Sequence, residues 1–316
     1  MTNNRKKILV FGATGLVGSA VMRSELSEDY DLVSDREWGR PDLTDRGIVS
    51  GLISAISPDV IVVAAAKVGG IMANKTYPAE FIYTNLAIET NIIEEARIQG
   101  VRKLIFLGSS CIYPRECKQP IKEEYLLSGP LEETNRPYAV AKIAGIELCD
   151  SYRRQYGCDF VSLMPTNLYG PNDNYNLENS HVLPAMIRKF HEAKLAGEAS
   201  VTMWGTGEVM REFLHVDDLA SAITHVIREN LSWQGPMNVG TGLDVQIKHL
   251  AQAIAKIVGF EGELHWDTSR PDGTPRKLLD VSMIQNTGWS HKIYLVDGIE
   301  SLYADLCKKP VEEWKQ

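Results

Sequence analysis

The sequence has little of what marks several protein classes. Its five cysteines, at 111, 117, 149, 158 and 307, are odd in number and form no Cys-x-x-Cys pair, which excludes a disulfide framework and a zinc ribbon. Such usage predicts a reducing compartment. No stretch supplies the roughly 18 consecutive apolar residues of a membrane span, so no membrane association is expected. Positive charge is scarce, with 33 Lys plus Arg against 41 Asp plus Glu and no basic cluster beyond Arg5-Lys6-Lys7. A nucleic-acid partner is therefore excluded for want of a phosphate-binding footprint. The histidines at 181, 191, 215, 225, 249, 265 and 291 make no metal-binding spacing, and no metal is expected. With 44% hydrophobic and 23% charged residues, and with only 25 glycines and 14 prolines, neither disorder nor a collagen-like chain fits.

What is present is a chain of 316 residues, about two domains long. Its basic start and the run Ile8-Leu9-Val10-Phe11 imitate a secretory signal, but Gly15 and Gly18 interrupt the run. A nucleotide-binding turn accounts for those glycines better, and the expected location is the cytoplasm. Short apolar runs alternate with helical patterns: Lys7–Phe11, Asp31–Val33, Val60–Val63, Lys103–Leu107 and Phe160–Leu163. Runs apolar on both faces, separated by crossover-length segments, predict a doubly wound parallel sheet of the Rossmann type. One helix is expected from about Ala79 to Gly100, with Phe81, Ile82, Asn85, Leu86, Ile88 and Ile92 at helical spacing. Another, from Arg136 to Tyr156, sets Val140, Ile143, Ile146, Leu148 and Cys149 along one face. A third follows from His181 to Leu195.

After Pro171 the texture changes to a polar, Asn-rich loop and then to short mixed segments with Gly and Pro turns. The expected organisation is a dinucleotide-binding domain over 1–170, completed by parts of 213–240. A smaller mixed α/β substrate-binding domain takes 171–212 and 241–316. The Lys- and Glu-rich tail after Pro310 reads as solvated.

Gly12-Ala13-Thr14-Gly15-Leu16-Val17-Gly18 follows the first strand and opens a helix. In that context Gly12 allows the tight turn, Gly15 the approach of a pyrophosphate, and Gly18 close packing of the helix. Alone, the trio fits any tight strand-to-helix turn. Tyr138 and Lys142 stand four apart, on one face of a helix, and an ammonium beside a phenol favours the phenolate. The pair suits proton donation to an alkoxide, though the same spacing arises by accident on half-exposed helices. The fourth strand ends in Gly108-Ser109-Ser110-Cys111, where ligands of open α/β sheets bind.

These residues resemble the extended short-chain dehydrogenases/reductases that act on nucleotide sugars. More narrowly they resemble the branch that epimerises C3 and C5 and reduces C4 of GDP-4-keto-6-deoxy-D-mannose. The resemblance covers nearly the whole chain and is carried by the strings at 64–71, 107–114, 164–171, 179–184, 210–218 and 271–277. It implies that Tyr138 protonates the C4 oxygen as hydride arrives from NADPH, that Lys142 holds the nicotinamide ribose, and that Ser109 binds the C4 carbonyl. It implies Cys111 and His181 as the base and acid of the epimerisations, proton transfers suited to a thiolate and an imidazole. NADP would lie against Gly12, Thr14, Gly15, Leu16, Val17 and Gly18, against Leu107, Gly108 and Ser110, and against Pro165, Thr166, Asn167 and Leu168. The sugar nucleotide would contact Lys189, Trp204, Arg211 and Asp272, and a homodimer is implied.

Each residue has a plainer reading beside this one. Cys111 suits a small buried hydrophobe, His181 a helix cap, Trp204 a core position, and Arg211 an ion pair with Glu212. Asp35 ends the second strand where an acid selects a bare ribose, whereas Arg36 and Arg40 supply cations for a 2′-phosphate, and NADP is the expected cofactor. The alternatives are the same chemistry, or C4 reduction only, on another GDP-4-keto sugar such as a 3,6-dideoxy sugar or a heptose, and a non-catalytic dinucleotide sensor.

Overall fold

A computed structural model describes residues 5–314 except 178 and 271. Pro271, at the start of one of the strings above, thus lies outside the described residues. In chain order the strands are β1 (Lys7–Phe11), β2 (Asp31–Ser34), β3 (Val60–Val63), β4 (Lys103–Leu107), β5 (Asp159–Pro165) and β6 (Asn167–Tyr169). There follow β7 (Ser200–Trp204), β8 (Met210–His215), β9 (Pro236–Val239), β10 (Asp244–Gln246), β11 (Glu263–Asp267) and β12 (Arg276–Lys277). The helices are α1 (Leu16–Met22), α2 (Leu26–Asp29), α3 (Arg46–Ile56), α4 (Ile71–Thr76), α5 (Pro78–Ile98) and α6 (Arg136–Tyr156). The later ones are α7 (Val182–Ala196), α8 (Val216–Arg228), α9 (Ile247–Val258), α10 (Ser282–Gln285) and α11 (Leu295–Leu306).

The large sheet runs β2-β1-β3-β4-β5-β9 with every pair parallel. Its central strands are apolar at almost every position, and Ile8–Phe11, Ile61–Val63 and Leu104–Phe106 are all at most 1% exposed, as strands covered on both faces must be. Helices supply that cover: α3 packs on α5 and α5 on α6, while α1 packs on α8. Because β1 lies between β2 and β3, the chain leaves β2 and crosses back over β1. The carboxyl ends of β1 and β3 therefore flank the crevice in which such sheets bind ligands. The fold class and the five predicted strands match the sequence reading closely.

Helix α6 spans the predicted residues, but Val140 is exposed, and the buried face is made by Ala139, Lys142, Ile143, Gly145, Ile146 and Cys149. Small residues hold that face because α6 lies tightly against α5 and β4. On α5 the buried stripe includes two acids, Glu89 and Glu95, beside Phe81, Asn85, Ile88 and Ile92.

Two apolar cores result. One surrounds the large sheet and also takes in Leu279, Val281, Ile284 and Trp289, a stretch that the sequence grouped with the smaller region. The other is built from β7, β8, α7, α9 and α11, with Tyr169 and Tyr175. The tail is not simply solvated: Trp314 is 1% exposed, stacks edge-on against Tyr175 and donates its indole N–H to the Leu306 carbonyl. Burying one large ring outweighs the polar composition around it.

Candidate active site

Three groups of side chains make up the candidate site, the first two at the carboxyl ends of β1 and β4. The first is the glycine turn after β1. Gly12 has φ +82°, and a Cβ there would come 2.6 Å from the Ala65 nitrogen at the exit of β3, so only glycine fits. A Cβ on Gly18 would stand 2.1 Å from the Gly12 carbonyl oxygen, so Gly18 lets α1 close on its own preceding turn. At Gly15 the nearest atom is that carbonyl at 3.4 Å. Gly15 is thus open on its outer side. Thr14 is exposed there, while Leu16 and Val17 pack inward.

Asp35 does not face outward as a ribose ligand would. It is 3% exposed, and its carboxylate accepts hydrogen bonds from the amides of Gly12 at 2.8 Å and Ala13 at 3.3 Å. The carboxylate thus holds the glycine turn to the end of β2. Arg36 and Arg40 are exposed beside it, and neither guanidinium is paired with a carboxylate among the described residues. The charges suit a phosphorylated ribose: neither Arg36 nor Arg40 has a carboxylate partner among the described residues, Asp35 is turned away, and the neighbouring exposed Glu37 accepts from the Ser34 amide at 3.3 Å.

The second group gathers the candidate proton-transfer residues. Gly108 follows β4 without a side chain because a Cβ would collide with Met164 Sδ at 2.3 Å. Leu107 and Ser110 are buried, and the Ser109 hydroxyl accepts from the Cys111 amide at 3.3 Å. Ser109 also hydrogen-bonds Tyr138. The expected lowering of Tyr138 by Lys142 is not found. Burial, then the charges of Cys111 and Glu89, push the phenol up, and the Ser109 bond only partly offsets them. The Lys142 ammonium sits 5.9 Å from the Tyr138 ring centre, 4.7 Å from that of Phe106, and 3.6 Å from Glu89 Oε2. Tyr138 therefore holds its proton, the state a donor to an alkoxide requires.

Cys111 lies a turn away, half-buried rather than sealed in the core. Its sulfur accepts from Asn135 Nδ2 at 3.2 Å and from the Lys277 ammonium at 3.7 Å, and Arg211 is near enough for their charges to interact. The sequence missed Asn135 and Lys277, although Lys277 closes one of the strings that carried the resemblance. His181 occupies the N-cap position of α7, yet its ring makes no capping bond. It opens onto the surface, and the surrounding protein still desolvates it enough to lower its pKa.

The third group belongs to the smaller region. Trp204 is 54% exposed, not a core residue, with the Lys189 ammonium 5.6 Å and the Arg270 guanidinium 5.1 Å from its ring. An exposed indole between two cations offers both a stacking face and anion binding. Arg270 had no sequence signal. Arg211 does not pair with Glu212, which is fully buried and accepts from the amides of Thr241, Gly242 and Leu279 at 2.7, 2.8 and 2.9 Å. Burial lowers Arg211, and Asp272 acts in the opposite direction. The Asp272 carboxylate also accepts from the Thr206 amide at 2.7 Å and hydroxyl at 2.9 Å, fixing the turn after β7. Between the groups, Thr166 Oγ1 and Asn167 Nδ2 donate to the Glu212 carbonyl at 3.3 and 2.8 Å. Pro165 is buried beside them and Leu168 packs on the first core.

The chain belongs to the NAD dependent epimerase/dehydratase family, whose pattern matches residues 8–240. Within it the chain falls with the GDP-L-fucose synthases and is an NADP-dependent epimerase/reductase. It is 54% identical over 298 residues to the probable GDP-L-fucose synthase 1 of Oryza sativa subsp. japonica, covering 94% of this chain and 90% of that one. It is 52% identical over 309 residues to the GDP-L-fucose synthase of Escherichia coli K12, covering 95% and 96%. A solved GDP-L-fucose synthetase from Naegleria fowleri bound to NADP superposes with a TM-score of 0.89 at 26% identity, covering 100% and 98%.

Proposed function

We propose that this chain converts GDP-4-keto-6-deoxy-D-mannose into GDP-L-fucose by inverting C3 and C5 and then reducing C4. The observation that carries the reading is the pairing of two proton-transfer devices in one crevice: a proton-bearing Tyr138 bonded to Ser109, and Cys111 set against Lys277 and Asn135. The C4 ketone acidifies the hydrogens on both neighbouring carbons, so one base can serve both inversions. Cys111 removes those protons. Asn135 and Lys277, within hydrogen-bond reach, hold its sulfur in place. His181 returns a proton to the opposite face. An imidazolium lowered by desolvation donates readily, but is populated only toward acid pH.

NADPH, when bound, supplies the hydride for C4. Ser109 holds the ketone oxygen, and Tyr138 gives it a proton as charge develops there. The glycine turn, with Gly15 open to the outside, takes the pyrophosphate, and Arg36 and Arg40 take the 2′-phosphate. Lys189, Trp204, Arg270 and Arg211 supply a stacking face and positive charge suited to a guanosine diphosphate, and Asp272 orients that wall.

The same reading takes 1–170 with parts of 213–240, and the 279–289 stretch packed on the large sheet, as the cofactor domain and the remainder as the substrate domain. The active form is a homodimer, supported by Tyr83, Ile98, Val140 and Tyr156, all exposed on α5 and α6. It works in the cytoplasm, consistent with five unpaired cysteines. The test is incubation of the purified chain with NADPH and separate GDP-4-keto sugars, comparing kcat/KM and identifying each product. GDP-L-fucose from the 6-deoxymannose substrate is expected. A higher kcat/KM for a 3,6-dideoxy or heptose substrate would reassign the sugar.

A further inference from the structure

Beneath the reductive site lies a buried acid that the chemistry above does not use. Glu89 is on α5 and 2% exposed, flanked along the helix by the buried Ile88, Ile92 and Ile93. Its Oε2 is 3.6 Å from the Lys142 ammonium, which is also 2% exposed. Apart from Lys142, no described residue donates a hydrogen bond to either oxygen of Glu89. The contact depends on a glycine of α6, since a Cβ on Gly145 would come 2.9 Å from Glu89 Oε2 and 2.4 Å from Phe106. On its other side Lys142 meets the Phe106 ring at 4.7 Å. Glu89 is thus the one carboxylate paired with Lys142 among the described residues.

Buried among apolar groups, an ammonium tends to lose its proton, and an opposite charge within about 4–6 Å restores it. We propose that Glu89 is a positioning residue, the internal counter-ion that keeps Lys142 charged in the interior. This rests on the reductase reading, with the Lys142 ammonium holding the nicotinamide ribose for the reductive step. The electrostatics agree in direction: burial lowers Lys142, and Glu89 alone acts the other way. Burial in turn pushes the Glu89 carboxyl up to about 7 against the pull of Lys142. The other ionisable groups bearing on the pair are Tyr138 and Cys149 of α6, with Cys111 beyond Tyr138. Burial keeps the Tyr138 phenol and the Cys149 thiol protonated, and the Cys111 sulfur is engaged by Lys277 and Asn135, so none substitutes for Glu89.

The experiment is the pH profile of hydride transfer in the full chain at saturating NADPH and ketone, with deuterated NADPH confirming that this step is read. In Glu89→Gln, Lys142 loses its proton sooner. The alkaline fall in rate should move to lower pH by about one to three pH units, with Glu89→Asp in between. A profile that superimposes on the wild type overturns the proposal, as does a uniform loss of rate with an unmoved limb, which a merely structural role would give. Should Glu89→Gln not fold, Glu89→Asp carries the test on the same criterion. The charge of Lys142 is also read without turnover, by carbon-13 NMR titration of labelled lysine side chains in the NADPH-bound chain. Earlier deprotonation in the variant is expected, and equal titrations overturn the proposal. A wild-type chain that oxidises no NADPH would instead defeat the reductase reading, leaving the titration to decide on Glu89.

Discussion

At the residue scale, the decisive contrast is between Tyr138 and Asp35, two groups whose roles the sequence framed by type and the structure frames by surroundings. Tyr138 was expected to be acidified by its helical neighbour, but Lys142 is turned toward Glu89, and the phenol keeps its proton. In a reduction that is an advantage, since the group must give a proton and not take one. Tyr138→Phe should therefore lower ketone reduction by about 10²–10⁴ while leaving NADPH affinity intact, as rapid-mixing absorbance and a cofactor titration would read. A variant retaining more than about a tenth of the wild-type rate would remove Tyr138 from that role. Asp35 carries the opposite lesson. An acid at the end of the second strand suggests NAD, yet its carboxylate is spent on two amides of the glycine turn. Residue type was legible in the sequence. Orientation was not, because it depends on backbone donors that no pattern displays.

At the element scale, the strands and long helices were legible because two-sided burial forces apolar runs and helix–sheet packing forces a 3.6-residue period. The failures occur where a helix buries polar or small side chains. Val140 was assigned to the inner face of α6, which is lined instead by Ala139, Lys142 and Gly145. Glu89 went unread because an acid on an apolar stripe gives no signal until its partner is known. The glycine turn allows a sharper test, for its glycines are required for different reasons. Gly15→Ala adds a Cβ with its nearest contact at 3.4 Å, whereas Gly18→Ala forces one to 2.1 Å from the Gly12 carbonyl. Gly18→Ala should destabilise the fold by about 1–3 kcal/mol through overpacking. Gly15→Ala should leave the melting temperature near the wild-type value and weaken NADPH at least tenfold. Calorimetry with a fluorescence titration separates the two. Unchanged NADPH affinity in Gly15→Ala would place the pyrophosphate elsewhere.

At the scale of the whole molecule, the two apolar cores are joined through Glu212. Its side chain gathers amides from 241–242 and 279, and its carbonyl receives Thr166 and Asn167. Gly240 has no room for a side chain, since a Cβ would stand 2.2 Å from Glu212 Oε1. Glu212→Gln would set an amide N–H against a backbone donor, leaving at least one buried group unsatisfied. A loss of about 1–3 kcal/mol in reversible unfolding is expected, and an unchanged unfolding free energy would show that the junction is not held this way. No sequence pattern points to this junction, because Arg211-Glu212 reads locally as a surface ion pair.

In the proposed mechanism, epimerisation and reduction are separable steps carried out by different residues. Proton NMR of the GDP-4-keto-6-deoxymannose substrate in deuterated water tests it directly, using wild-type and Cys111→Ala chains with and without NADPH. Wild type should exchange the C3 and C5 protons even without cofactor. Cys111→Ala should exchange neither, yet should slowly oxidise NADPH and release a GDP-6-deoxy sugar with its original C3 and C5 configuration. Normal deuterium incorporation by Cys111→Ala, or a wild-type chain that reduces the ketone without any exchange, would contradict the account.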